Sequence, residues 1–298
     1  MKLLKLTFLS LLFSANSKSI AMDKMIYGED GRFEVDSFYV YPYREMAKAV
    51  AGRVKKNIIW KRGEKYNFEY LNLKMQGLSP LMPFTTQATL TDCTGFLVAD
   101  DIMVTAGHCV VDQADCEDSL WIFDFDHKVA SKKSFSEKNT VGCKEIINKQ
   151  EVNNEEVYID YAILRLTRKM TDRKPLKFRE QGTVEKLSSL VMIGHPLGLP
   201  MKVTKGANVW HTDEEWVFTA NLDAFGGNSG SPVINESTGL VEGILVRGGE
   251  DFTDTEDGLA TANICAVNNT EEICTIGEEV TRITKLGLPE LLNKARNQ

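Results

Sequence analysis

The stretch Phe225-Gly-Gly-Asn-Ser-Gly-Ser-Pro-Val233 decides how the rest of the chain is interpreted. It places Ser229 among small residues, which predicts a tight loop and makes this serine a candidate nucleophile. The small neighbours let the backbone N–H groups of Gly227 and Ser229 converge on one point, as an oxyanion hole requires. A serine hydroxyl is a weak nucleophile until a base takes its proton. The chain is therefore expected to supply a histidine and a group that orients it.

A suitable histidine lies upstream, in Thr105-Ala-Gly-His-Cys109. Residues 96–105 consist of two short apolar runs around a turn, which predicts a hairpin leading into this motif. Cys93 and Cys109 bracket the hairpin at a separation suited to a disulfide, and such a closed loop would contribute roughly 3 kcal/mol. We expect His108 to be held there against a rigid sheet.

The candidate acid is Asp160, near the start of the apolar run Tyr158-Ile-Asp-Tyr-Ala-Ile-Leu-Arg-Leu166. An aspartate at the end of a buried strand can be both desolvated and oriented. Taken alone, His108, Asp160 and Ser229 each have an ordinary structural explanation. Their order along the chain, histidine then aspartate then serine, gives the three residues a common explanation as parts of one catalytic site.

Thr105–Cys109 and the Gly-Asn-Ser-Gly-Ser-Pro motif together resemble the chymotrypsin-like serine peptidases. Within that family the chain is most similar to secreted bacterial enzymes related to the glutamyl endopeptidases. The resemblance covers roughly residues 26–283 and is poor over 55–90, expected to be a surface insertion, and over 111–157, expected to be a decorated hairpin and loops. Four further segments carry it: Gly28–Arg32, Tyr41–Tyr43, Ile193–Pro200 and Val241–Gly248.

This resemblance implies an all-β fold of two six-stranded antiparallel β-barrels, with the active site between them. His108 and Asp160 would come from the first barrel and Ser229 from the second, forming a catalytic triad, while Gly227 and Ser229 form the oxyanion hole. The residues themselves add a short C-terminal helix over 289–296. An α/β-hydrolase is excluded, because it needs Gly-x-Ser-x-Gly and the opposite residue order.

Substrate selection has two candidate charges. Asp223 lies six positions before Ser229, where trypsin-like relatives keep the carboxylate that selects Arg or Lys side chains. Arg247 lies on the predicted pocket wall and would either neutralise Asp223 or attract an acidic side chain. Leu245, Val246, Arg247 and Gly248 are expected to offer backbone groups to an extended substrate. Asn228 is neutral, so the N-terminal charge lock of animal-type relatives is not expected.

Residues 1–21 resemble a secretory signal, with lysines at the front, an apolar run and then small residues. Cleavage is expected after Ala21 or, alternatively, after Ala15, which leaves 22–298 as the peptidase domain. Removing residues 1–21 takes away three lysines and no acid, so the formal net charge changes from −7 to −10. Nucleic acid and anionic membranes are therefore poor partners.

Six cysteines in an exported chain indicate disulfides. Besides Cys93 and Cys109, Cys116 and Cys143 fall in one segment, and Cys265 and Cys274 could close a small loop; the pairing of these four stays open. No His/Cys spacing indicates a zinc site. We expect a secreted or periplasmic monomer that acts on polypeptides without a metal or cofactor.

The sequence thus predicts a secreted serine endopeptidase that acts through an acyl-enzyme, with a preference for Arg or Lys before the cleaved bond. Two alternatives remain: a catalytically silent homologue that binds peptides, and a serine esterase on the same fold.

Overall fold

The computed structural model describes residues 25–154, 157–266 and 272–296. The predicted signal segment 1–21 lies outside them. The strands are β1 (Ile26–Tyr27), β2 (Arg32–Glu34), β3 (Val50–Lys55), β4 (Ile59–Arg62), β5 (Lys65–Phe68), β6 (Cys93–Ala99), β7 (Ile102–Thr105), β8 (Ser119–Phe123), β9 (Ser134–Ser136), β10 (Thr140–Asn153), β11 (Tyr158–Leu166), β12 (Ser189–Gly194), β13 (Lys202–His211), β14 (Val217–Ala220), β15 (Pro232–Asn235), β16 (Val241–Arg247), β17 (Phe252–Asp254), β18 (Ala260–Ala262), β19 (Ile264–Cys265) and β20 (Glu278–Arg282).

The helices are α1 (Arg44–Ala47), α2 (Gln113–Glu117), α3 (His127–Ser131), α4 (Glu272–Ile276) and α5 (Leu288–Arg296). Short 3₁₀ turns occur at Phe38–Tyr43, Lys56–Ile58, Lys74–Gln76, Gly107–Cys109, Glu137–Asn139, Pro196–Gly198 and Ile283–Lys285. Within the described ranges, none of the helices combines the length and the apolar character that a transmembrane span requires.

The first barrel is a closed antiparallel sheet in the order β10-β11-β7-β6-β3-β8. Strand β11 is buried along nearly its whole length, which explains its largely apolar sequence. Gly95 on β6 makes room for the ring of Trp121, since a Cβ there would lie 2.8 Å from that ring. The 14-residue strand β10 has two bulges that let it bend around the barrel. The sequence pattern of 111–157 had predicted only a decorated hairpin and loops.

The second barrel has the order β12-β15-β16-β20-β14-β13, and pairing of β12 with β13 closes it; β2 adds to β13 on the outside. The expected all-β architecture of two six-stranded antiparallel barrels is therefore confirmed. The predicted C-terminal helix is also present as α5, whose Leu288 is fully buried in the main core.

The segment 55–90, expected to be a surface insertion, contributes strands to a small sheet of its own. Strands β4, β5 and β9 pair in that order, and Phe68 and Phe135 pack beneath them against the first barrel. This sheet leaves Trp60 about half exposed.

Candidate active site

His108 is held at the end of β7, in the 3₁₀ turn Gly107–Cys109. The disulfide between Cys93 and Cys109 ties this turn to the start of β6. The hydroxyl of Thr105 donates a hydrogen bond to the carbonyl of Thr94, 2.7 Å away, and fixes the strand that leads into the turn. The expected hairpin with a rigidly placed histidine is what the chain forms here.

Asp160 lies on β11 with no exposed surface and accepts four hydrogen bonds. Its Oδ2 accepts from Nδ1 of His108 at 2.6 Å and from the hydroxyl of Tyr158 at 2.9 Å. Its Oδ1 accepts from the backbone N–H of His108 at 3.1 Å and from that of Gly107. Both carboxylate oxygens therefore hold the imidazole and its backbone in one orientation.

These contacts decide the charge of Asp160. Burial by itself would raise the pKa of the Asp160 carboxyl, but the hydrogen bonds from His108 and Tyr158 outweigh it, and this pKa lies below its ordinary value. The carboxylate is consequently ionised at neutral pH, and its partner Nδ1 carries a proton. The other ring nitrogen of His108 is then left to act as an acceptor.

Ser229 lies in the loop between β14 and β15, with only 5% of its surface exposed. Its carbonyl accepts a hydrogen bond from the N–H of Thr94 at 2.9 Å, and Sγ of Cys109 lies 3.5 Å from the same oxygen. Thr94 and Cys109 belong to the first barrel, so the serine loop is pinned beside the His108 turn. The structure thus brings the Ser229 loop beside the His108 turn, to which Asp160 is hydrogen-bonded. That the three side chains form a catalytic triad stays a prediction.

Two glycines shape this loop, because Gly227 and Gly230 both have φ of +89°. A Cβ on Gly227 would lie 2.6 Å from the carbonyl oxygen of His195, and one on Gly230 would lie 1.9 Å from that of Thr94. Among the described residues, none accepts a hydrogen bond from the N–H of Gly227. The N–H of Gly227 is thus compatible with an oxyanion hole, and the assignment of Gly227 and Ser229 to that role stays a prediction.

Asp223 is placed differently from what the sequence analysis expected. Its carboxylate is 5% exposed and accepts hydrogen bonds from the backbone N–H groups of Tyr27 and Gly31, both at 2.7 Å. Burial raises the pKa of Asp223 to about 6, against the opposing effect of these two hydrogen bonds. Asp223 therefore fastens the N-terminal segment to the second barrel, and its role in substrate selection stays a prediction that these contacts do not favour.

Arg247 does not neutralise Asp223, as one alternative proposed. Its guanidinium forms two hydrogen bonds with Glu279, at 2.7 and 2.8 Å, and lies 3.8 Å from the centre of the Tyr158 ring. Tyr158 in turn donates to Asp160. Arg247 is thereby connected to the histidine–aspartate pair through one tyrosine, a link that sequence reasoning did not suggest.

The predicted substrate-binding strand is partly used within the protein. The N–H of Leu245 donates to the carbonyl of Ser231 at 3.0 Å, and its own carbonyl accepts from Gly230 at 2.8 Å. Val246 is fully buried, whereas Arg247 and Gly248 are partly exposed. The expectation that Leu245 offers its backbone to substrate is therefore wrong, because the serine loop already occupies both groups.

Sequence reasoning missed Glu278, a fully buried carboxylate at the start of β20. Its Oε1 accepts a hydrogen bond from the backbone N–H of Met25 at 3.2 Å. A Cβ added to Gly248 would lie 2.0 Å from its Oε2, so the glycine is what admits this carboxylate to the predicted pocket wall. In the sequence only Gly248 had been placed near this position, and nothing pointed to a buried charge behind it.

His195, which the sequence analysis did not assign to catalysis, is fully buried in the turn before Pro196. Its Nδ1 lies 3.0 Å from the carbonyl oxygen of Leu199, to which it can donate. Burial lowers the pKa of His195 to about 4, so the ring is neutral at physiological pH. His195 thereby holds the turn at Pro196–Gly198, which lies against Gly227 of the serine loop.

The six cysteines form three disulfides, Cys93–Cys109, Cys116–Cys143 and Cys265–Cys274. This confirms the expected use of the cysteines and settles the pairing that the sequence left open. Cys93, His108 and Cys109 lie close enough to hold a cation, but both sulfurs are bonded to each other and do not serve as thiolate ligands.

Comparisons with known proteins agree with this architecture. Residues 93–244 match the family model described as trypsin-like peptidase domain. No curated protein matches the chain in sequence. The chain is similar in fold to neuropsin, a serine protease of mouse brain, with 13% identity, a TM-score of 0.53 and 90% and 100% of the two chains covered.

Two further solved structures are similar. An inactivated protease paralogue of the scabies mite shares 14% identity at a TM-score of 0.51, with 91% of this chain and 99% of that chain covered. A Glu endopeptidase shares 17% identity at a TM-score of 0.49, with 92% and 100% covered.

Proposed function

Because this chain belongs to the family of trypsin-like peptidase domains, we propose that it is an exported serine endopeptidase. One observation carries the proposal: the 2.6 Å contact between His108 and a buried, ionised Asp160, in a turn beside which the Ser229 loop is held. A histidine held in this way is a general base, and a serine beside it is the group that such a base activates.

The proposed reaction follows from these positions. His108 takes the proton of the Ser229 hydroxyl while the serine oxygen attacks the scissile carbonyl, and later gives a proton to the leaving amine. Asp160 keeps Nδ1 protonated and stabilises the imidazolium. The N–H groups of Gly227 and Ser229 would stabilise the oxyanion, and losing one such donor typically costs roughly 10²–10³ in rate. Water then hydrolyses the acyl-enzyme by the same route.

A preference for Arg or Lys before the cleaved bond is the finer part of the proposal. The carboxylate that supports it best is Glu278, which lies behind Gly248 on the predicted pocket wall. Asp223, the residue first considered, is hydrogen-bonded to Tyr27 and Gly31 instead. A buried carboxylate reached past a glycine would select a basic side chain through a charge-assisted hydrogen bond.

Export is proposed from the signal-like segment 1–21 together with the three disulfides, which form and persist in oxidising compartments. With that segment removed, we expect a monomer that takes polypeptides as its substrates. The acidic net charge argues against nucleic acid and anionic membranes as partners.

The silent, peptide-binding homologue is the main alternative, since one protein with this fold is described as an inactivated protease paralogue. Here the complete histidine, aspartate and serine set favours activity. A serine esterase would use the same three residues, so only its substrate range would differ.

A cleavage profile of the purified mature protein on a peptide library tests the proposal. We expect internal peptide bonds to be cut, with Arg and Lys enriched before the cut, and no cutting by Ser229→Ala. Parallel rates on matched peptide amides and esters separate peptidase from esterase. Folded wild-type protein that cleaves no peptide amide would contradict the proposal.

A further inference from the structure

An open groove of about 760 Å³ lies between the small sheet of β4, β5 and β9 and the turn that contains Leu197. Five of its lining residues are large apolar side chains with 37% to 61% of their surface exposed: Ile58, Trp60, Tyr70, Leu71 and Met75. Exposed apolar side chains gathered in one place mark a binding surface, whereas single ones need no explanation. Glu69 is the one charged residue of this lining, so the groove suits an apolar ligand.

The walls of the groove are held in shape by specific contacts. The N–H of Thr89 donates to the carbonyl of Leu71 at 2.8 Å, and the hydroxyl of Tyr70 donates to the carbonyl of Thr86 at 2.5 Å. The Lys133 ammonium lies over the Tyr70 ring, 4.8 Å from its centre. The aromatic wall is therefore present before any ligand arrives, which lowers the entropy cost of binding.

The groove is continuous with the serine loop. Leu197, at its inner end, donates its N–H to the carbonyl of Gly226 at 2.6 Å, and Leu90 donates to the carbonyl of Gly198 at 2.8 Å. Leu197 has φ of +55°, a conformation that is uncommon for a leucine. This unusual backbone conformation of Leu197 occurs where its turn is hydrogen-bonded to the loop that carries Ser229.

The direction of the groove follows from the two flanks of the loop. On one flank, Gly230 bonds to Leu245 of β16, the strand that leads to Gly248 and the predicted pocket. On the other flank, Gly226 bonds to Leu197 at the inner end of the groove. A substrate whose residues before the cleaved bond follow β16 and that continues past Ser229 toward Gly226 would bring its residues after that bond toward the groove. An extended chain covers about 3.3–3.6 Å per residue, so a few residues suffice to reach it.

We propose that this groove binds apolar side chains of a polypeptide substrate on the leaving-group side of the cleaved bond. The inference rests on the proposed peptidase function and adds a second determinant of specificity, contributed by the insertion 55–90. Trp60 and Met75 are the residues whose exposed surface a bound segment would cover. The pocket beside Gly248 and this groove would then bind side chains of the substrate on opposite sides of the cleaved bond.

The test uses two peptides that are identical up to the cleaved bond. The leaving half of one carries leucine and phenylalanine, and that of the other carries serine and glycine. Wild-type protein is expected to cleave the apolar peptide with a kcat/KM about tenfold higher or more, mainly through KM. The double variant Trp60→Ala, Met75→Ala is expected to lose most of this ratio. Leu81→Ala, an exposed leucine of the same insertion that does not line the groove, is the matched control and is expected to keep it.

Equal cleavage of the two peptides by wild-type protein, or an unchanged ratio in the double variant, would overturn the proposal. If neither peptide is cleaved, the proposed function fails, and the groove is then decided by binding alone. For this, the fluorescently labelled apolar leaving-half peptide is titrated into Ser229→Ala protein, with and without the two groove substitutions. Saturable binding that the double variant weakens and Leu81→Ala does not supports the groove. The absence of such binding refutes it.

Discussion

The two flanks of the serine loop are held together in different ways. On the first-barrel flank, Asp160 binds His108, Gly107 and Tyr158, all within two short sequence motifs. On the second-barrel flank, the charged groups Asp223, Glu278 and Arg247 are each hydrogen-bonded to another strand or segment. Two of these partners, Tyr27 and Met25, come from the N-terminal segment.

The contacts of the histidine–aspartate pair are therefore local in sequence, whereas those of the three charged groups join distant segments. The histidine and the aspartate need only a hairpin end and one strand to meet. Asp223 and Glu278 are instead both engaged by the N-terminal segment. A substitution on the first flank should therefore change rate for every substrate, and one on the second flank should change which substrates are cleaved.

The largest effect is expected for Asp160→Asn. The amide keeps an oxygen for the backbone N–H groups but can donate to Nδ1 of His108, which favours the wrong tautomer. We expect kcat to fall by about 10⁴-fold for basic and apolar substrates alike, as steady-state kinetics on both would measure. Thermal unfolding checks that the variant is folded. A folded variant whose kcat stays within tenfold of wild type would remove Asp160 from the mechanism.

The next prediction concerns the buried His195, whose ring is neutral at physiological pH. Its pKa is about 4 in the folded state, against about 6.5 when unfolded, so between these values the unfolded chain binds more protons. The free energy of unfolding should therefore fall as pH drops from about 6.5 to about 4, by roughly 3 kcal/mol from this group.

Urea unfolding at about pH 7 and about pH 4 measures this dependence. His195→Gln, which can still donate to the carbonyl of Leu199, is expected to lack it, while His211→Gln on the exposed end of β13 is expected to retain it. The interpretation fails if wild type and His195→Gln lose the same free energy on acidification.

The next largest effect is expected on the preference for Arg or Lys before the cut. Glu278→Gln is expected to lower kcat/KM about 10- to 100-fold for substrates with Arg or Lys before the cut, relative to substrates with an apolar residue there, because one charge-assisted hydrogen bond is lost. Asp223→Asn should lower kcat/KM equally for both classes of substrate, because it weakens the contacts with Tyr27 and Gly31. The reverse pattern, with Asp223→Asn alone selective against basic substrates, would restore the prediction made from the sequence.

The smallest effect is expected for Tyr158→Phe, which removes one hydrogen bond to Asp160 and keeps the ring beneath Arg247. Burial and the Asp160 charge raise the pKa of the Tyr158 phenol, so it donates throughout the assay range. We expect kcat/KM to fall about two- to tenfold for all substrates. A thousandfold loss would mean that Tyr158 acts in the reaction rather than on the position of the acid.

Features that depend on one short stretch of the chain could be predicted from the sequence. The turn at His108 and the apolar run around Asp160 each predicted its own structure, and the resemblance supplied the two barrels. Glu278 could not be foreseen, because its place depends on Gly248 and Met25, both distant in the chain. Asp223 was expected in the pocket from its spacing alone, and spacing does not reveal that the N-terminal segment satisfies its carboxylate. The groove at Trp60 arises from an insertion that has no pattern of its own.

In the proposed reaction, His108 activates Ser229. Exposure of the mature protein to a fluorophosphonate, followed by intact mass measurement and peptide mapping, tests it most directly. We expect one adduct on Ser229, none in Ser229→Ala, and a labelling rate in His108→Ala that is lower by orders of magnitude. Modification at another residue, or equal labelling rates with and without His108, would contradict it.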